Sequence, residues 1–206
     1  ELPPQNDTAS IERDFNVKIN EPIPTDTTSL WAVSLGLDSL VALQQKQVLI
    51  GIIDYGIDSS HAAVDGSFEE SIVSLADICD VGTNSFNFKE RTTDAFRDSL
   101  DGGHGTHIAS IITGLRELDN FKLLSLQVGT KDSIATLFDV ACAVEYAIQK
   151  KVDVLNMSIG YLGNNSSIFK RIMDDAEAAD IVVVTSAGNN VGNDNDVNLH
   201  WPSNYS

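Results

Sequence analysis

The sequence predicts an α/β fold: a mostly parallel sheet with helices on both faces. Three observations lead there. Short apolar runs of strand length alternate with stretches whose apolar residues recur at helical spacing. The apolar runs are nearly continuous rather than alternating, as in strands covered on both faces. Most connections between these segments are short. The chain has 206 residues, 42% hydrophobic and 21% charged. That is the composition of a globular protein of one domain, or one and a half.

Residues 1–30 hold Pro3, Pro4, Pro22 and Pro24 among polar residues, with no sustained period. They read as an extended arm or linker ahead of a domain spanning 31–206. Trp31–Leu43 carries apolar residues at Trp31, Leu35, Leu37, Leu40 and Leu43, a helix with Thr27, Thr28 and Ser29 as caps. Gln47–Asp54 is an apolar run that ends on a carboxylate, a buried strand. Ser71–Asp77 is a second strand candidate, and residues 80–103 read as a long loop. His104–Leu115 places Ile108, Ile111, Ile112 and Leu115 on one stripe, a helix. Phe121–Val128 reads as a strand. Ser133–Lys150 reads as a helix, capped by Asp132 or Ser133, with Lys150 and Lys151 where cations suit the helix dipole. Val152–Ile159 follows as a strand, Ser167–Ala179 as a helix, and Ile181–Ser186 as another buried strand.

Thirteen Lys and Arg against thirty Asp and Glu leave a net charge of −17. Such a charge repels phosphate backbones and anionic lipid, so nucleic-acid and membrane-surface roles are disfavoured. No apolar run approaches the roughly 20 residues of a spanning helix. The two cysteines, Cys79 and Cys142, are too few for a disulfide scaffold and are not spaced as a metal knuckle. Cys142 sits in an apolar helical stretch and reads as a core residue.

In parallel sheets ligands bind at the carboxyl ends of strands, which directs attention to four segments. Ile52-Ile53-Asp54-Tyr55-Gly56 ends a buried strand on a carboxylate, either a turn residue or the partner of a catalytic imidazole. Asp101-Gly102-Gly103-His104-Gly105-Thr106-His107 opens a helix with two histidines three apart. The zinc spacing His-Glu-x-x-His is absent, so capping or acid–base work are the open readings. Leu155-Asn156-Met157-Ser158-Ile159-Gly160 offers an edge along which an extended peptide can pair. Val184-Thr185-Ser186-Ala187-Gly188-Asn189-Asn190 is either an ordinary turn or a rigid amide donor for a developing oxyanion.

Taken together and in order, these segments resemble the subtilisin-like serine proteases over residues 30–206. Ile53-Asp54-Tyr55-Gly56-Ile57-Asp58 resembles the family's aspartate motif, and His104-Gly105-Thr106-His107-Ile108-Ala109 its histidine motif. Val154-Leu155-Asn156-Met157-Ser158-Ile159-Gly160 resembles its substrate-binding strand, Ala187-Gly188-Asn189 its oxyanion motif, and Trp201-Pro202-Ser203-Asn204-Tyr205 the segment that follows. The resemblance implies a doubly wound, three-layer subtilisin-like fold. It implies that Asp54 orients the general base His104 and that Asn189 donates to the oxyanion. Ser158, Ile159 and Gly160 would line the substrate on one side, with Ala187 and Gly188 as the floor of the primary pocket, small enough to leave room for a bulky side chain. His107 would pack structurally.

Two positions depart from the pattern: Tyr55, where Thr or Ser is usual and whose bulk lies beside Asp54, and Ser110, where Gly is usual. The family's Gly-Thr-Ser nucleophile segment does not occur in these 206 residues. The resemblance therefore implies an N-terminal portion of a serine endopeptidase, inactive alone, whose nucleophile lies in a segment or partner chain after Ser206. The alternative is a non-catalytic pseudoprotease or peptide-binding domain. Peptide or protein substrates are implied, no cofactor is required, and calcium is an optional structural ion; Asp194, Asn195, Asp196 and Asn198 cluster oxygen ligands without EF-hand spacing. Family habit implies a secreted or extracytoplasmic setting.

Overall fold

The computed structural model describes residues 18–19, 47–61, 64, 85–98, 103–113, 121–130, 135–189 and 194–205. The helix expected at Trp31–Leu43 and the strand expected at Ser71–Asp77 lie outside them. Eleven elements are described: β1 (Lys18–Ile19), β2 (Val48–Asp54), β3 (Phe86–Asn87), α1 (His104–Thr113), β4 (Phe121–Gln127), α2 (Leu137–Lys150), β5 (Val154–Met157), β6 (Ile159–Leu162), α3 (Ser167–Ala178), β7 (Val182–Thr185) and β8 (His200–Trp201). The main sheet has the order β3-β4-β2-β5-β7, and all of its pairings are parallel.

Side chains of β2 alternate between two cores, as the pleat requires. Ile52 joins Ile57, Leu123 and Ala109 of α1 on one face. Ile53 joins Leu124, Leu126 and the apolar faces of α2 and α3 on the other. The result is the helix–sheet–helix sandwich expected from the sequence. It sets β2 at the centre of the sheet, so Asp54 emerges from the buried end of the central strand. Cys142 is buried in the second core.

Four features differ from the sequence reading. The N-cap of α2 is Thr136, not Asp132 or Ser133: Thr136 is extended, and its hydroxyl accepts the Asp139 N–H at 3.2 Å. The helix keeps Asp139 in its first turn, where a carboxylate suits the dipole and also meets Lys89 and Arg91. Lys151 takes the left-handed cap conformation, φ 56°. The loop at 80–103 contains β3, pinned by the buried rings of Phe86 and Phe88. The single strand expected at Val152–Ile159 is two: the chain leaves the main sheet at Ser158, and β6 enters a small antiparallel sheet between β1 and β8. Finally β7 is not buried throughout. Its only described partner is β5, and Val182 and Val184 are 60% and 48% exposed.

Candidate active site

Because β2, β5 and β7 are adjacent and parallel, Asp54, Ser158 and the Ser186–Asn189 segment all emerge on the carboxyl edge of one sheet. Helix α1 starts there too. Its first residue, His104, is 3% exposed, and Asp54 is 1% exposed. Nδ1 of His104 lies 2.9 Å from Asp54 Oδ1 and 2.8 Å from Oδ2. An ionised carboxylate can only accept, so Nδ1 carries the proton, and in the neutral imidazole the lone pair lies on Nε2. Burial pushes the Asp54 carboxyl up; the hydrogen bond and charge of His104 and the Tyr55 N–H pull it down, and the charge of Asp98 pushes it up further.

The approach of α1 to β2 depends on glycine. A methyl group at Gly105 would overlap the Gly56 carbonyl oxygen and lie 3.2 Å from Asp54 Cβ. Gly56 itself has φ 105°, a conformation that favours glycine. Asp98, which the sequence reading did not single out, accepts from both the N–H and the hydroxyl of Thr106 at 2.7 Å. It thereby satisfies a free donor in the first turn of α1. The Thr106 hydroxyl oxygen in turn accepts the Asp58 N–H at 2.9 Å, tying the aspartate motif to the histidine motif. The only sequence signal for this role was an aspartate a few residues ahead of the histidine motif.

Tyr55 does not crowd Asp54. Its N–H donates to Asp54 Oδ1 at 2.8 Å, while its ring turns against Gly129 and meets the Ala135 amide. Burial pushes its phenol up. Gln127 braces the same turn, donating to the carbonyls of Tyr55 and Gly129. Ser110 fits its helix by donating to the His107 carbonyl at 2.7 Å. His107 is half-buried, one turn along α1, and lines a cavity of about 620 Å³ with Asp58, His61, Asp98 and Thr106.

The remaining candidates lie on the other strands. Ser158 is half-buried, and its hydroxyl accepts from Asn156 Nδ2 at 3.1 Å. Ile159 and Gly160 are buried, and along them β1 pairs antiparallel, Ile19 opposite Ile159 and Lys18 opposite Gly160. Ala187 and Asn189 are exposed, and Gly188 is half-buried with φ 90°. Asn195 Nδ2 holds the Ala187 carbonyl at 2.9 Å. His200, another residue not singled out from sequence, is buried against Gly160 and Gly188. Asn190 lies outside the described residues. In the acidic segment, Asp194 accepts the Asp196 N–H. Among the described residues no group of three or more His, Cys, Asp or Glu converges as a metal site, and no helix is long and apolar enough to cross a membrane.

The chain is similar to known proteases. Subtilisin DY of Bacillus licheniformis is 31% identical over 166 residues, covering 77% of this chain and 53% of its own length. Human membrane-bound transcription factor site-1 protease is 34% identical over 109 residues, half of this chain and 10% of that protein. The chain thus spans about half the length of subtilisin DY. Among solved structures, a lanthipeptide protease superimposes with a TM-score of 0.60 at 19% identity, covering 85% of this chain and 51% of its own. Fervidolysin from Fervidobacterium pennivorans, a keratinolytic enzyme related to subtilisin, gives 0.56 at 20% identity over 82% of this chain and 24% of its own. These two likenesses bear on the fold. The subtilase family model matches residues 45–206, the span that contains the buried Asp54–His104 pair and the strand ends around it, and the chain belongs to the subtilase family.

Proposed function

We propose that this chain is the N-terminal part of a subtilisin-like serine endopeptidase. The observation that carries the reading is the buried contact of His104 Nδ1 with Asp54, which leaves Nε2 as a base. In this reading a serine hydroxyl from beyond Ser206 attacks the peptide carbonyl and passes its proton to Nε2. Asp54 stabilises the resulting imidazolium, and Asn189 donates to the oxygen that gains charge. His104 then protonates the leaving amine, and water completes hydrolysis by the same route in reverse. Substrates are peptides or proteins in extended form. They pair along Ile159–Gly160 in the place of β1 and in the antiparallel sense that it takes there. No cofactor enters the chemistry, calcium is at most a structural ion, and the setting is secreted or extracytoplasmic.

The β1 pairing also suits a second reading, a peptide-binding module without catalysis. One experiment separates them. The full-length protein should hydrolyse a peptide library, His104→Ala should remove nearly all turnover, and His107→Ala should retain it. Residues 1–206 alone should be inactive. Peptide binding without hydrolysis by the full-length protein would favour the second reading. Loss of turnover in His107→Ala but not His104→Ala would mean the base is misassigned.

A further inference from the structure

We propose that His200 closes the primary specificity pocket, restricting the residue before the scissile bond to glycine, alanine or serine. This rests on the peptidase reading, with Gly160 lining the substrate on one side and Gly188 in the floor of the primary pocket. The imidazole fills the space between those two backbones. A methyl group at Gly160 would overlap Cε1 and Nε2, and one at Gly188 would lie 2.9 Å from Cδ2 and 3.0 Å from Nε2. Two positions without side chains would ordinarily leave a slot; here a third residue occupies it.

The ring is held in place. The Ser203 hydroxyl donates to the His200 carbonyl at 2.9 Å, so its oxygen is left to accept from Nδ1–H, also at 2.9 Å. The His200 N–H donates to Asn204 Oδ1 at 3.1 Å. Asn204 Nδ2 reaches the Asn195 carbonyl, and Asn195 holds Ala187 beside the same slot. Next to His200, the Trp201 indole donates to the Gly163 carbonyl at 3.0 Å. Swinging the ring out would break the Ser203 contact and leave a void between two glycines. A large substrate side chain therefore meets a fixed ring rather than a hole.

The test uses the full-length enzyme and peptides that differ only before the scissile bond: Gly, Ala, Leu and Phe. Since one methylene is worth roughly 10–200-fold where a pocket discriminates, kcat/KM for Ala should exceed that for Phe by about 100-fold or more. His200→Gly should raise the Phe-to-Ala ratio at least about tenfold. Preference of the wild-type enzyme for Phe or Leu would overturn the proposal while leaving the peptidase reading intact. So would an unchanged ratio in a folded His200→Gly enzyme. If that variant does not fold, the wild-type profile decides alone. Hydrolysis of none of the peptides would overturn the peptidase reading, and this inference with it.

Discussion

Replacing Asp54 with Asn should lower kcat sharply without unfolding the protein, because it forces the wrong tautomer on His104. The two side chains are nearly isosteric, so the packing around β2 is kept. Their hydrogen-bonding is not. The Tyr55 N–H sits 2.8 Å from Oδ1 and needs an acceptor there. The Asn oxygen takes that place, and its NH₂ group then faces His104 Nδ1, now 2.8 Å from Oδ2. Nδ1 must accept, the proton moves to Nε2, and the base is lost. The productive tautomer returns only if the amide flips, which sets two donors against Tyr55 N–H. Two buried unsatisfied donors cost about 2–6 kcal/mol together. That range corresponds to a loss of roughly 30-fold to 2 × 10⁴-fold in kcat. Its upper end meets the ~10⁴ loss known for the same substitution in chymotrypsin-type triads. The assay is steady-state hydrolysis of one peptide by the full-length enzyme near neutral pH, with circular dichroism to verify folding. A loss below tenfold, or one confined to KM, would refute the reasoning.

Three further outcomes are expected. Asn189→Ala should lower kcat by roughly 10²–10³ with little change in KM; this is the loss found for the corresponding donor in subtilisin itself, carried over rather than worked from this chain. A raised KM at constant kcat would instead make Asn189 a binding residue. Gly105→Ala should cost about 1–3 kcal/mol or more in a urea titration and reduce turnover, since the new methyl group overlaps backbone at Gly56 and pushes α1 from Asp54. Burial holds the His200 imidazole below its usual range. The unfolded chain therefore binds the proton first as pH falls, so this contribution is full above about pH 6.5 and is lost as pH drops through the folded value. The stability difference between wild type and His200→Asn should shrink on acidification, read from urea midpoints at two pH values.

The sequence exposed the Asp54–His104 pair because each half is a local signal: a carboxylate ending an apolar run, and histidines opening an amphipathic helix. Their meeting required only that parallel strands share one carboxyl edge. Helix stripes and the strands β2 and β4 were legible for the same reason. The N-cap of α2 was not, because Asp132, Ser133 and Thr136 are all competent caps and only the backbone at Thr136 decides. The break at Ser158 was hidden by the apolar Met157 and Ile159, both buried but in different sheets. Val182 and Val184 read as buried because a β-branched run carries the same signal whether one face or both are covered; among the described residues only the face of Val183 packs on the core. His200 carried no local signal at all. Its position follows from two glycines, one 40 and one 12 residues earlier, whose missing side chains make space for its ring.

The most direct test of the account is to label the full-length protein with a fluorophosphonate and map the modified residue. Such a probe reports a serine made nucleophilic by a neighbouring base. The account predicts one labelled serine, located after Ser206, with labelling lost in His104→Ala and retained in His107→Ala. Labelling of a serine within residues 1–206, or labelling indifferent to His104, would contradict it.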